Sequence, residues 1–105
     1  MPGYRFSDYS FSRLARLDLI EIAEYTLDRW GLNQAERYLD GLDDCFKRLV
    51  QTPQMGSACD QIRDGYRRIE QGKHVVIYRA DVDGVFISRI LHRRILPERH
   101  MFEDS

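Results

Sequence analysis

His74-Val75-Val76-Ile77-Tyr78-Arg79, then Asp83-Gly84, then Val85-Phe86-Ile87-Ser88-Arg89-Ile90-Leu91-His92 is the stretch that decides the fold. Two β-branched, apolar runs flank a dipeptide that favours a tight hairpin turn, so they read as adjacent antiparallel strands. Working backwards, Gly72-Lys73 supplies another turn and Tyr66 to Gln71 a further strand, which gives three consecutive hairpin-linked strands. Val75, Ile77, Val85, Ile87 and Arg89 fall on one set of alternate positions, and Val76, Tyr78, Phe86, Ser88 and Ile90 on the other. One set is expected to face a helical layer and the other to be partly exposed, and the pattern does not say which.

Thr52 to Asp64, with Pro53, Gly56 and Ser57, reads as loop. Before it the period changes to that of helices. From Leu14 to Trp30, Ala15, Leu19, Ile22, Ala23, Thr26 and Trp30 recur at helical spacing, with Arg16, Asp18, Glu21, Glu24 and Asp28 elsewhere on the wheel. Ser12 is the expected N-cap and Gly31 the expected stop. Asn33 with Glu36 suggests a capping box for a second helix, whose buried stripe is Ala35, Tyr38, Leu39, Leu42, Phe46 and Leu49, closed by Pro53. So short a connection makes the helices antiparallel neighbours. Aromatic-rich Tyr4 to Phe11 reads as a first strand. The expectation is an α+β fold, β-α-α-β-β-β, with a helical hairpin packed on a mainly antiparallel sheet.

With 105 residues and 12.5 kDa, residues 1–105 suffice for a single domain with one core. A 43% apolar and 31% charged composition argues against disorder, and no apolar run approaches the roughly 18 residues of a membrane span. Met1-Pro2-Gly3-Tyr4-Arg5 lacks the apolar core of a secretory signal, so the cytoplasm is the expected location. Cys45 and Cys59 have no C-x-x-C spacing and are expected to stay free thiols, Cys45 in the core. The net charge of -1 conceals an asymmetry: residues 1–60 carry seven basic against ten acidic side chains, residues 61–105 nine against seven. An anionic partner would therefore meet the second half.

Few chemistries survive inspection. His74, His92 and His100 lack ligand spacing, so no metal is expected. Asp81-Val82-Asp83-Gly84 lacks the glycine and glutamate positions of a calcium loop, and Gly65, Gly72 and Gly84 are isolated turn glycines without a phosphate loop. No cofactor is expected. No serine or cysteine has a local activating motif, and adjacent Asp43 and Asp44 diverge by roughly 100° on a helix, which suits a solvated face. What stands out is arginine interleaved with aromatic and apolar residues: Arg63, Tyr66, Arg67, Arg68, Tyr78, Arg79, Arg89, His92, Arg93, Arg94 and His100. Such a surface can clamp carboxylates or phosphates of a macromolecular partner, although strand arginines also mark the wet face of a sheet. Arg93-Arg94, consecutive at a strand end, are the strongest candidates for an exposed contact.

Four stretches, in order, carry a resemblance. They are Ala15-Arg16-Leu17-Asp18-Leu19-Ile20-Glu21-Ile22-Ala23-Glu24-Tyr25, matching A-x-x-D-L-x-x-I-x-x-Y; Gln34-Ala35-Glu36-Arg37-Tyr38 after Trp30-Gly31; Gly56, Cys59 and Ile62-Arg63-Asp64-Gly65-Tyr66-Arg67-Arg68; and Arg89-Ile90-Leu91-His92-Arg93-Arg94. Together the chain resembles the ParE branch of the RelE/ParE superfamily of bacterial toxin-antitoxin systems, with Met1 to Asp8 extending beyond the usual start.

The resemblance implies growth inhibition through DNA gyrase, a role in plasmid stabilisation, and a hetero-oligomer with a ParD-like antitoxin whose C-terminal segment wraps helices and sheet. It also implies that the antitoxin, not the toxin, contributes sequence-specific DNA binding. Candidate target contacts are Arg68, Arg79, Arg89, His92, Arg93 and Arg94. Leu14, Leu17 and Ile20, more apolar positions than one buried stripe requires, join Tyr25 and Tyr66 as candidates for the antitoxin groove. The runner-up is ribosome-dependent mRNA cleavage of the RelE type, with His92-Arg93-Arg94 at the scissile phosphate and Arg68 or Arg79 stabilising charge. No tyrosine follows His92 and no acid–base pair flanks it in sequence, so the expectation is a non-enzymatic toxin.

Overall fold

In the computed structural model, which describes residues 9–102, the elements are β1 (Tyr9–Phe11), α1 (Arg13–Trp30), α2 (Leu32–Gln51), a 3-10 turn (Pro53–Met55), β2 (Ser57–Ala58), β3 (Arg67–Gln71), β4 (His74–Asp81), β5 (Gly84–His92) and a closing 3-10 turn (Arg99–Phe102). Of the expected first strand, residues 4–8 lie outside the described residues. The sheet order is β1-β5-β4-β3-β2. Strands β2 to β5 pair antiparallel, and β1 lies parallel to β5 with Tyr9 opposite Val85. The expected α+β class and element order are found, with one addition: the segment read as loop holds a helical turn and the two-residue strand β2, Ser57 opposite Arg68.

Ser12 caps α1 by accepting the Ala15 amide at 2.9 Å, and its hydroxyl donates to the Ser88 carbonyl at 2.6 Å, so the cap also anchors the helix to β5. Gly31 ends α1 at φ +88° and ψ 174°, a backbone region that is essentially glycine's alone. Its amide donates to the Leu27 carbonyl and its own carbonyl accepts the Ala35 amide, each at 3.0 Å. One residue therefore closes one helix and opens the next. This corrects the expected Asn33 capping box: α2 starts at Leu32, and no side chain caps it.

The sheet is buried on both faces. Against the helices pack Val76, Tyr78, Val85, Ile87 and Ile90, meeting Ala15, Ile22, Leu42, Cys45, Phe46 and Leu49. On the far face Val75, Ile77 and Leu91 are covered by Cys59, Ile62, Tyr66 and Phe102. Neither expected set of alternate positions forms one face, because Val85 and Ile87 pair alongside Tyr78 and side with Val76 and not with Val75 and Ile77; nor is the second face wet, because the 59–66 segment and the closing turn fold over it. Tyr66 is only 4% exposed and packs edge-on to Phe102, so it belongs to this core and not to an open groove. Burial raises the pKa of both cysteine thiols, free and fully enclosed, which makes them inert.

A β-bulge reshapes β5. Tyr78 pairs with Ile87, but Ile77 pairs with Arg89, so Ser88 is an extra residue on β5. Strict alternation would separate Ile87 from Ile90; the bulge brings both, with Val85, onto the helix-facing core.

Asp18, expected on the polar side of α1, is 8% exposed. Both its oxygens accept from Arg89, Nε and Nη2 each at 2.8 Å, and Oδ2 also accepts the Ile90 amide at 2.9 Å. Arg89 Nη1 donates to the Met101 carbonyl at 2.8 Å, and the carboxylate pushes the guanidinium pKa further up. One carboxylate thus joins α1, β5 and the closing turn. Removing one partner of such a buried pair costs about 3–5 kcal/mol, because the other charge is left unpaired. Urea denaturation should show Asp18→Ala losing stability in that range, and Asp18→Asn less, since an amide oxygen can still accept from Ile90. Phe102→Ala should cost about 3–5 kcal/mol by the same measurement, as expected for emptying a fully buried aromatic site.

Candidate functional site

β1 ends at Phe11, opposite Ile87, while β5 continues to His92. Beyond Ile87 the outer edge of β5 has no strand neighbour among the described residues, and α1 closes it only in part, through Ser12 and Asp18. Between α1 and this edge opens a groove of about 770 Å³. Glu21, Ile22, Tyr25, Thr26 and Trp30 form the α1 wall; Arg89 to His92 and Ile95 form the strand wall; Tyr38, Lys73 and His74 lie at one end. Tyr25 and Trp30 are 59% and 61% exposed. Trp30, expected in the buried stripe, lies at the last turn of α1, past the part of the helix that packs on the sheet.

The register puts His74 opposite His92, with ring centroids 5.6 Å apart. From α2, Tyr38 approaches edge-on to His74, its hydroxyl 2.5 Å from Nδ1. That hydroxyl accepts the Lys73 amide at 2.9 Å and lies 3.3 Å from the Gln71 carbonyl. The close approach requires Gly72: at φ +60°, an added Cβ would lie 2.7 Å from the Tyr38 ring. Burial, followed by the neighbouring His92, holds the His74 pKa below the usual imidazole value. Burial raises the Tyr38 pKa, partly offset by the Lys73 amide. His92 Nδ1 accepts the Arg94 amide at 3.1 Å, which leaves Nε2 to carry the proton of the neutral ring. Lys73 stands over the Trp30 ring at 6.0 Å, and its carbonyl accepts the Arg93 amide at 2.9 Å, so basic groups gather at this end.

The remaining sequence candidates are scattered. Arg89 lines the groove but is committed to Asp18 and Met101. Arg93 and Arg94 are exposed in the turn that follows β5, beside the exposed Ile95 and Leu96. Arg68 lies on β3, 3.9 Å from Glu70, and Arg79 stacks over the Phe86 ring at 4.1 Å, both away from the groove. Leu17 and Ile20 project with Leu27 from the outer face of α1, and Leu14 is half-buried. Of the five residues expected to form one groove, only Tyr25 lines it.

Sequence reading missed Tyr38, Lys73 and His74. It gave His92 no acid–base companion, whereas the fold supplies Tyr38 and His74. The hairpin loop is Val82-Asp83, one residue before the expected Asp83-Gly84, because Gly84 already pairs with Asp81; counted from that loop without the bulge, His74 would oppose Leu91, so hairpin arithmetic could not have found the pair.

Comparison with known proteins adds the family. Residues 9–97 match the model for the ParE toxin of type II toxin-antitoxin systems, parDE. Toxin ParE1 of Mycobacterium tuberculosis is 41% identical over 96 residues, which span 90% of this chain and 98% of the relative. Toxin ParE1 of Caulobacter vibrioides is 39% identical over 93 residues, 89% of this chain and 96% of that one. The solved structure described as the chromosomal ParDE TA system from P. aeruginosa superposes with a TM-score of 0.68 at 20% identity, covering 80% of this chain and 92% of that chain, which speaks for the fold. By the family match along nearly its whole described length, and by relatives of this identity, the chain belongs to the ParE toxin family of type II toxin-antitoxin systems.

Proposed function

We propose that this ParE-family toxin inhibits DNA gyrase by direct contact, without bond-making chemistry of its own, and that a ParD-like antitoxin neutralises it in the cytoplasm. Family membership carries the reading. The groove supports the antitoxin half: exposed aromatic rings beside an open strand edge suit a peptide segment that contributes apolar anchors and main-chain hydrogen bonds. The turn after β5 supports the target half. Arg93 and Arg94 next to exposed Ile95 and Leu96 combine fixed charge with apolar area, as protein-contact patches do.

A second reading, RelE-type mRNA cleavage, is favoured by one observation: Tyr38, His74 and His92 form a titratable cluster beside Lys73 in an open groove. The two readings separate in vitro. Purified toxin should block gyrase supercoiling or trap cleaved plasmid, and Arg93→Ala with Arg94→Ala should weaken that inhibition about tenfold, the equivalent of about 1.4 kcal/mol. Untouched supercoiling together with cut ribosome-bound mRNA would replace the gyrase reading. A ribbon-helix-helix reading frame beside this gene, whose product copurifies with the toxin, is the expected source of the antitoxin.

A further inference from the structure

We propose that the groove seats an extended segment of the antitoxin with a carboxylate side chain at the His74–His92 end and an apolar side chain between Tyr25 and Trp30, and that this grip tightens as pH falls. The inference rests on the antitoxin reading above and adds the chemistry, direction and regulation of the contact.

Three features of the groove specify the occupant. Its β5 wall is a strand edge that no strand pairs beyond Ile87 among the described residues, and with the Ser88 carbonyl and the Ile90 amide held by Ser12 and Asp18, the stretch past Ile90 is the part open to a partner. An extended chain can run along such an edge. The α1 wall presents two half-exposed aromatic rings, which favour an apolar side chain with a flat face. The charges are also divided along the groove. His74, His92, Lys73 and Arg93 gather at one end, whereas on α1 Asp18 is neutralised by Arg89 and Glu21 is the remaining carboxylate of the lining. An acidic residue at the histidine end meets attraction, and at the Glu21 end it meets repulsion, so the charge distribution sets the direction of the bound segment.

The pH response follows from the same geometry. The groups that bear on His74 are Tyr38 from α2, Asp18 from α1, Lys73 from the turn and His92 from β5, with Glu21 of α1 and Arg89 of β5 lining the same groove. In the free toxin burial and His92 disfavour a proton on His74, and the Asp18 carboxylate only partly compensates. A carboxylate delivered between the rings reverses that balance and raises the imidazole pKa, so binding takes up a proton. Affinity then rises as pH falls, by at most tenfold per pH unit for one proton. Folding has the opposite slope. The lowered pKa of His74 leaves the folded chain fully stabilised above the unfolded imidazole value and loses that contribution as pH falls toward the folded one. Below neutrality the free toxin weakens while the complex tightens.

The test uses the full-length toxin and the purified product of the adjacent antitoxin reading frame. Calorimetric titrations at pH 6 and pH 8, in buffers of different ionisation heat, should show proton uptake and a several-fold lower Kd at pH 6. His74→Gln should bind no more tightly at pH 6 than at pH 8, with His74→Asn in its place should that variant prove unfolded by circular dichroism, whereas His92→Gln, which keeps the proton-accepting His74 ring, should retain the response. Replacing the antitoxin's acidic residues one by one with amides should identify a single position that flattens the profile. Trp30, the only tryptophan, reports occupancy directly through its emission. A complex whose affinity does not change with pH, a pH response that survives replacement of His74, or Trp30 emission that shifts on concentrating the toxin alone, as self-association through the groove would produce, overturns this inference and leaves the antitoxin reading standing. No complex at either pH overturns both.

Discussion

The carboxylate of Asp18 is the constraint on which the architecture depends. It arrives from the middle of α1 and meets a strand edge that β1 is too short to cover. There it satisfies the Ile90 amide, which a strand would otherwise have to pair, and it neutralises Arg89, whose remaining donor holds the closing turn. Unpaired edge amides and unpaired buried charges are each costly, and this arrangement resolves both with one side chain. The distance between α1 and β5 is thereby set, and with it the width of the groove further along the same two elements.

A sheet of five strands with two of them very short has little surface to bury on its own. The molecule closes both faces by different means. A regular helical hairpin covers one, with the Tyr9, Phe11 and Phe46 rings meeting at 5.3–5.7 Å at the end of β1. Irregular chain covers the other. Tyr78 links the helix-facing core to that irregular chain: its hydroxyl donates to the Pro53 carbonyl at 2.6 Å and accepts the Gly56 amide at 2.9 Å. Gly56 cannot carry a side chain there, since a Cβ would sit 2.6 Å from the same hydroxyl.

What the sequence disclosed and what it concealed divide along the range of the interactions. Ser12, Gly31, Pro53 and Asp83-Gly84 act on their neighbours, so the helices, the hairpin and the element order were legible from them. Asp18 could not be distinguished from the exposed acids of α1, because the arginine that justifies its burial lies 71 residues away. Tyr66 looked like surface because its partner, Phe102, comes from the far end of the described chain. The histidine end of the groove needed two long-range facts at once, the packing of Tyr38 from α2 and the register of β4 against β5.

That register turns on Ser88. Its hydroxyl is buried without a hydrogen-bond partner among the described residues, which is uncommon for a serine enclosed at the junction of helix cap and strand. An extra backbone unit at this spot acts as a phase shifter: everything from Arg89 onward is displaced by one step relative to β4, while the hairpin before it keeps its ordinary pairing. Pairing the same residues without the bulge would leave the Val82-Asp83 turn intact yet set His74 against Leu91 and exchange inward for outward from Ser88 onward; losing Ser88 itself would instead keep Arg89 opposite Ile77. The ion-pair anchor and the imidazole pair therefore share one condition: both need the ladder to absorb a residue between Ile87 and Arg89.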